Sequence, residues 1–254
     1  MSSNQRNYII TWFNLVAYLS TLIVNYLANA LPLFGKDTRE LSDQYPVLIT
    51  PESYVFSIWS VIYTLLAGFV ILTLLPSGRK QIGEVKKISA WFIISSALNI
   101  TWLFFWHGEL VFFSVLTMIA LLISIIKLYH LTHQNTKNAT RIVKIFTQLP
   151  FSLYLGWISV ATIVNISTWL YDIEWNGWGI SDTGWTITML IIATALAVLI
   201  SRKYNDIAVV LVFIWAFIGI AIKQSDYTSI MVVAYVLSGL LFVYSLYLFR
   251  KRST

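Results

Sequence analysis

The chain has 254 residues, 58% of them hydrophobic and only 11% charged, with a net charge of +6. Soluble domains carry about 25% charged residues, so this composition excludes a water-soluble fold and defines an integral membrane protein. Cysteine is absent, which excludes disulfides, thiol catalysis and thiolate metal sites.

Eight apolar stretches run near residues 8–31, 53–76, 88–106, 110–130, 145–170, 185–201, 207–222 and 228–249. Each approaches the roughly 20 residues that a bilayer-spanning helix needs, the seventh being the shortest case. The expected fold class is therefore an all-α polytopic membrane bundle of about eight transmembrane helices. In the first stretch Asn14, Tyr18, Thr21, Asn25 and Asn29 form a polar stripe on one face. A cleaved signal peptide ending at Ala28-Asn29-Ala30 is the rival reading of this stretch. Its apolar run exceeds the usual signal-peptide core of about 7–15 residues, and a stripe of this kind suits a helix facing a bundle interior.

Residues 32–51 form the longest loop, polar and turn-rich, and long enough to act as a lid. The segment that follows, Thr50 to Tyr63, is the pivot of the chain. Pro51 suits a first helical position, Thr50 an N-cap and Glu52 the first turn. Phe56, Trp59 and Tyr63 recur at helical spacing and share a face. This reading buries Trp59 about 10 Å inside its helix, below the interfacial aromatic belt.

In the third stretch Ser95, Asn99, Trp102 and Trp106 share a face; in the fifth, Tyr154, Trp157, Ala161, Asn165 and Trp169 do the same. An amide in hydrocarbon needs a partner, since an unpaired one costs several kcal/mol. That partner is a neighbouring helix or a ligand, and the two readings are compatible. The loop from Tyr171 to Gly184 is acidic. Its Trp175 and Trp178, with the adjacent Trp185, suit the headgroup level. No internal repeat stands out.

The basic residues set the orientation. With eight spans, 14 of the 17 Lys and Arg fall on the side of the two termini, from Arg6 to Arg252, and 3 on the other: Lys36, Arg39 and Lys223. The positive-inside rule places both termini in the cytoplasm. Lys127 lies near the cytoplasmic end of the fourth stretch, no Asp, Glu, Lys or Arg falls in the interior of any stretch, and His107, His130 and His133 lie at or beyond helix ends. Ion-coupled carriers keep a charge in the membrane; His130 with His133 suits a solvated pair better than a metal site, and there is no Gly-rich phosphate loop or nucleophile–base pair. Binding chemistry is left to aromatic rings, amides and hydroxyls. These converge under the long loop, as in a lidded, mostly apolar cavity.

Three segments resemble the tryptophan-rich sensory protein family, also called the translocator protein or peripheral benzodiazepine receptor family. They are Pro51 to Tyr63; Leu98-Asn99-Ile100-Thr101-Trp102-Leu103-Phe104-Phe105; and Pro150 to Asn165, which contains Tyr154, Trp157, Ser159, Ala161 and Thr162. The resemblance runs from residue 8 to residue 171. It implies a five-helix bundle over residues 1–171, with residues 172–254 as three additional transmembrane helices. Tyr54 stands where the family usually has Trp, and the family's aromatic segment before the second helix is absent from residues 32–49.

The resemblance implies a receptor or sensor that binds a planar apolar ligand, a porphyrin or other tetrapyrrole or a sterol-like molecule, in an aromatic pocket. Tyr54, Trp59, Tyr63, Asn99, Trp102, Tyr154, Trp157 and Asn165 are the candidate ligand-binding residues. No catalytic residue, metal or cofactor is expected, porphyrin entering as ligand. A transporter or permease component and a light-dependent porphyrin-degrading enzyme are the alternatives. The expected partners are membrane lipids and the hydrophobic ligand, with a homodimer admitted and nucleic acid excluded. The expected location is the bacterial cytoplasmic membrane.

Overall fold

The computed structural model describes residues 3–31 and 35–253, with side chains from 8 to 31 and from 35 to 251. Residues 32–34 of the long loop, and the side chains of Arg6 and Arg252 in the charge count, lie outside the described residues.

Helix follows helix through the chain: α1 (Ser3–Ala30), the short α2 (Thr38–Gln44), a 3-10 turn (Ser53–Ser57), α3 (Ile58–Leu74), the short α4 (Pro76–Gln81), α5 (Val85–His107), α6 (Val111–Asn135), α7 (Arg141–Asp172), α8 (Asp182–Ser201), α9 (Ile207–Lys223) and α10 (Thr228–Ser253). Among the described residues, seven helical segments are long and apolar enough to cross a membrane; α9 is apolar but shorter. At about 1.5 Å per residue its 17 residues reach about 25 Å, short of a hydrocarbon core of about 30 Å. The protein is a polytopic helical membrane protein, and the seventh stretch of the sequence reading is the one that falls short of full span length.

The start of α3 departs from the sequence reading. Thr50 and Pro51 do not open the helix. Glu52 caps a 3-10 turn instead, its carboxylate accepting from the Ser53 amide at 2.8 Å, and α3 begins only at Ile58. Trp59 thus lies in the first turn of α3, not two turns inside it. A carboxylate that can reach the next amide competes with the helical ladder, a competition invisible to residue spacing.

The chain divides into two compact units, Met1–Thr38 with Trp59–Leu155 and Arg39–Ile58 with Gly156–Thr254. In the first unit α5 packs on α1 and α6. Its core holds Phe69, Phe92 and Phe151, edge to face with centroids 5.0–6.3 Å apart. Such arrangements suit the ring quadrupoles, and they matter here because lipid supplies no hydrophobic drive between helices. The stripe of α1 faces its neighbours. Asn14 Nδ2 donates to Ser89 Oγ at 2.9 Å, and the Tyr18 hydroxyl to the Tyr63 carbonyl at 3.0 Å.

In the second unit α8, α9 and α10 pack on one another, and the 3-10 turn packs on α9. The Glu52 amide donates to the Gly219 carbonyl at 3.1 Å, and Trp215 Nε1 to the Val55 carbonyl at 3.2 Å. A Cβ at Gly219 would overlap Val55, so the glycine is what admits the turn. Ser181 caps α8 by accepting from the Gly184 amide at 3.2 Å, and Asp206 caps α9 by accepting from the Ala208 amide at 3.0 Å.

Candidate functional site

In the first unit four candidate residues come together. Helix α3 presents Trp59 and Tyr63 four residues apart, and their rings stack at 5.3 Å with planes 15° apart. Tyr154 of α7 meets Trp59 edge-on at 5.5 Å. Asn99 of α5 donates from Nδ2 to the Tyr154 hydroxyl at 3.1 Å, and its Oδ1 accepts from Asn25 Nδ2 of α1 at 3.0 Å. Asn25 also donates to the Thr21 carbonyl at 2.9 Å. The result is a chain of polar contacts, Asn25 to Asn99 to Tyr154, beside a stack of two aromatic rings. Asn99 is fully buried and Tyr154 nearly so.

A small cavity of about 10 Å³ adjoins these rings, lined by Tyr18, Tyr63, Ser95, Ser96 and Tyr154 among others. That is about the space one water needs. The Tyr63 hydroxyl is buried next to Asn99 without a partner in hydrogen-bonding geometry. Trp102 lies on the same helix as Asn99, buried and stacked on Trp106 at 6.0 Å. The face Ser95–Asn99–Trp102–Trp106 read from the sequence is buried along its whole length.

The remaining candidates belong to the second unit. Tyr54, in the 3-10 turn, meets Trp215 edge-on at 4.9 Å. Trp157 is buried and meets Phe56 edge-on at 5.6 Å. Asn165 is buried on α7. Sequence reasoning missed Trp215 and Gly219. The signal available for them was their spacing of four on one face of α9, with a ring to hold the incoming turn and a missing side chain to admit it.

Charge plays its part at the ends of helices. Glu52, outside the spans, is held below the usual glutamate range by the Ser53 amide and hydroxyl. Lys36 pairs with Glu109 at 2.9 Å in the first unit, and Lys223 with Asp43 in the second. Asp206 is buried but serves as a cap. Among the described residues no group of three His, Asp or Glu side chains is placed to hold a metal ion.

The fold and this seat define a class: a multi-span helical membrane protein with aromatic and amide side chains gathered in its interior. Residues 11–247 match the family model described as TSPO-like protein, and the chain belongs to that family. No curated protein and no solved structure matches it. The match includes α8 and α9 and most of α10, so it reaches well past the residue 171 at which the sequence resemblance stops.

Proposed function

We propose that the protein is a membrane receptor or sensor that binds a planar apolar ligand, tetrapyrrole or sterol-like, at the seat around Trp59. The observation that supports this most is the meeting of the stacked Trp59–Tyr63 pair with the Asn25–Asn99–Tyr154 chain. Indole and phenol faces supply sequence-independent stacking, and the amide fixes orientation through one polar atom. Membership of the TSPO-like family supports the same reading. Ligand pockets commonly measure about 300–1,000 Å³, far above the cavity of about 10 Å³ beside Tyr63 and Tyr154. The ligand therefore enters by swinging Trp59 off Tyr63 and taking its place in the stack. Both rings are half-buried, which gives Trp59 a route outward.

Trp102 joins this seat through its place on the Asn99 face. Tyr54, Trp157 and Asn165 are proposed as ligand contacts on the family resemblance alone. We place the protein in a bacterial cytoplasmic membrane with both termini cytoplasmic, on the 14-to-3 division of Lys and Arg. The five-helix part, residues 1–171, is taken to carry the ligand, with residues 172–254 added to it. Mass spectrometry of what co-purifies in mild detergent tests the reading. Wild type should carry a planar apolar molecule that Trp59→Leu largely loses; the same molecule in equal amount on both would contradict it.

A further inference from the structure

The second unit contains a separate cavity of about 120 Å³. Its walls are Tyr171 at the end of α7, Trp175 in the loop, Trp185 and Thr186 in α8, and Ile49 from the long loop. Asp182, in the first turn of α8, is the one charged residue among those that line it. An engineered apolar cavity of about 150 Å³ holds benzene. This one suits a group of about five heavy atoms and is too small for a tetrapyrrole.

The aromatic walls are built, not incidental. Trp185 Nε1 donates to the Gly177 carbonyl at 2.8 Å, which fixes the indole in one orientation. Its ring rests on the Gly177 backbone: a Cβ there would lie 3.1 Å from Nε1, at a φ of +60° that itself favours glycine. Trp175 packs on Trp185 at 5.1 Å, tilted by 52°, and Tyr171 is held edge-on by Tyr45 at 6.4 Å. A tryptophan of the interfacial belt turns its indole N–H to headgroups or water. Trp178, 77% exposed, fits that description. Trp185 does not, because its N–H is spent inside the loop.

The α7–α8 side of the cavity is acidic in sequence. No Lys or Arg occurs between residues 145 and 201, whereas Asp172, Glu174 and Asp182 all lie in or beside this loop. Aromatic faces and one carboxylate around a cavity of this size form the surroundings that attract a weakly hydrated cation. A primary ammonium would leave its strong hydration behind for little return; a methylated one loses little. We propose that this cavity binds a quaternary ammonium group, with Trp175, Trp185 and Tyr171 facing its methyl groups and Asp182 balancing its charge. The same chemistry is offered by a choline lipid headgroup and by a free quaternary amine. The site is independent of the seat around Trp59.

Saturation-transfer NMR of choline with the full-length protein in phosphatidylglycerol nanodiscs tests this, using the neutral carbon isostere 3,3-dimethylbutan-1-ol as the matched probe. Choline should saturate in the millimolar range and the isostere bind at least about tenfold more weakly. Asp182→Asn should weaken choline about fivefold, and the mild change Trp175→Phe should weaken it less. Loss of the choline signal in phosphatidylcholine nanodiscs would identify the lipid headgroup as the occupant; persistence of the signal there would identify the free amine. Equal binding of choline and its isostere, or no choline signal in phosphatidylglycerol nanodiscs, would overturn the proposal.

Discussion

Asn99 uses both ends of its amide, accepting from Asn25 and donating to Tyr154. In a span such an amide has no water to fall back on. Asn99→Leu should therefore lower stability by about 1–2 kcal/mol, read as a melting shift in detergent. Asn25→Leu combined with it should cost less than the sum of the two, because one bond is lost in both. Strict additivity would show that the bond contributes nothing. The spacing of Asn99 and Tyr154 was legible in the sequence, since a helical period assigns each residue to a face. Their pairing was not, because a period says nothing about which helix lies opposite. The same holds for Tyr18, whose acceptor is the backbone carbonyl of Tyr63, a group that no side-chain pattern reveals. Glu52 gives a pH prediction. Its folded pKa lies below the unfolded one, so its contribution is present above the usual glutamate value of about 4.3 and is lost as pH falls through the folded value. Melting temperature should drop over that acid range, and Glu52→Gln should shrink the drop. An unchanged acid profile in the variant would rule out this cap as a contributor.

The junction between the long loop and α3 shows how tertiary contact overrides local signals. Thr50, Pro51 and Glu52 read as a helix start, yet the chain forms a 3-10 turn that ends at Ser57. Two contacts with α9 favour it: the Glu52 amide reaches the Gly219 carbonyl, and Trp215 reaches the Val55 carbonyl. A helix begun at Pro51 would need the Val55 carbonyl for its own ladder, whereas the Glu52 amide, in the first turn, would have no intrahelical partner to lose. The docking depends on shape as well as hydrogen bonds, since a side chain at Gly219 would meet Val55. Gly219→Val should thus destabilise the second unit by about 1–3 kcal/mol through overpacking. Limited proteolysis should then cut near residues 44–52 faster than in wild type. Resistance equal to wild type would mean that the turn does not depend on this close approach. α9 is the shortest of the apolar stretches in the sequence, and at 17 residues it is the short helix of the structure. Its length was visible in the sequence; its role as the platform for the turn was not.

At the scale of the molecule, composition alone established a polytopic helical membrane protein, because so few charges and so many apolar runs leave a bilayer as the only solvent that fits. The family match from residue 11 to residue 247 agrees with the motifs found in α3, α5 and α7 and extends beyond them. Motif reading stopped at residue 171 because the later helices are apolar on nearly every face and carry few polar marks to compare. The division of Lys and Arg predicts a topology. Reporter fusions after residues 35 and 180 should read outside, and those after 80, 135 and 254 inside; an outside reading at residue 254 would mean that α9 does not cross. The central claim is that a planar ligand stacks at Trp59, and protoporphyrin titration of the protein in nanodiscs, followed by indole quenching, tests it most directly. Trp59→Leu should raise the dissociation constant about tenfold, the loss of one stacking face. Trp178→Leu, in the exposed loop, should leave it unchanged. Equal affinity in wild type and both variants would contradict the claim and place porphyrin on some other surface.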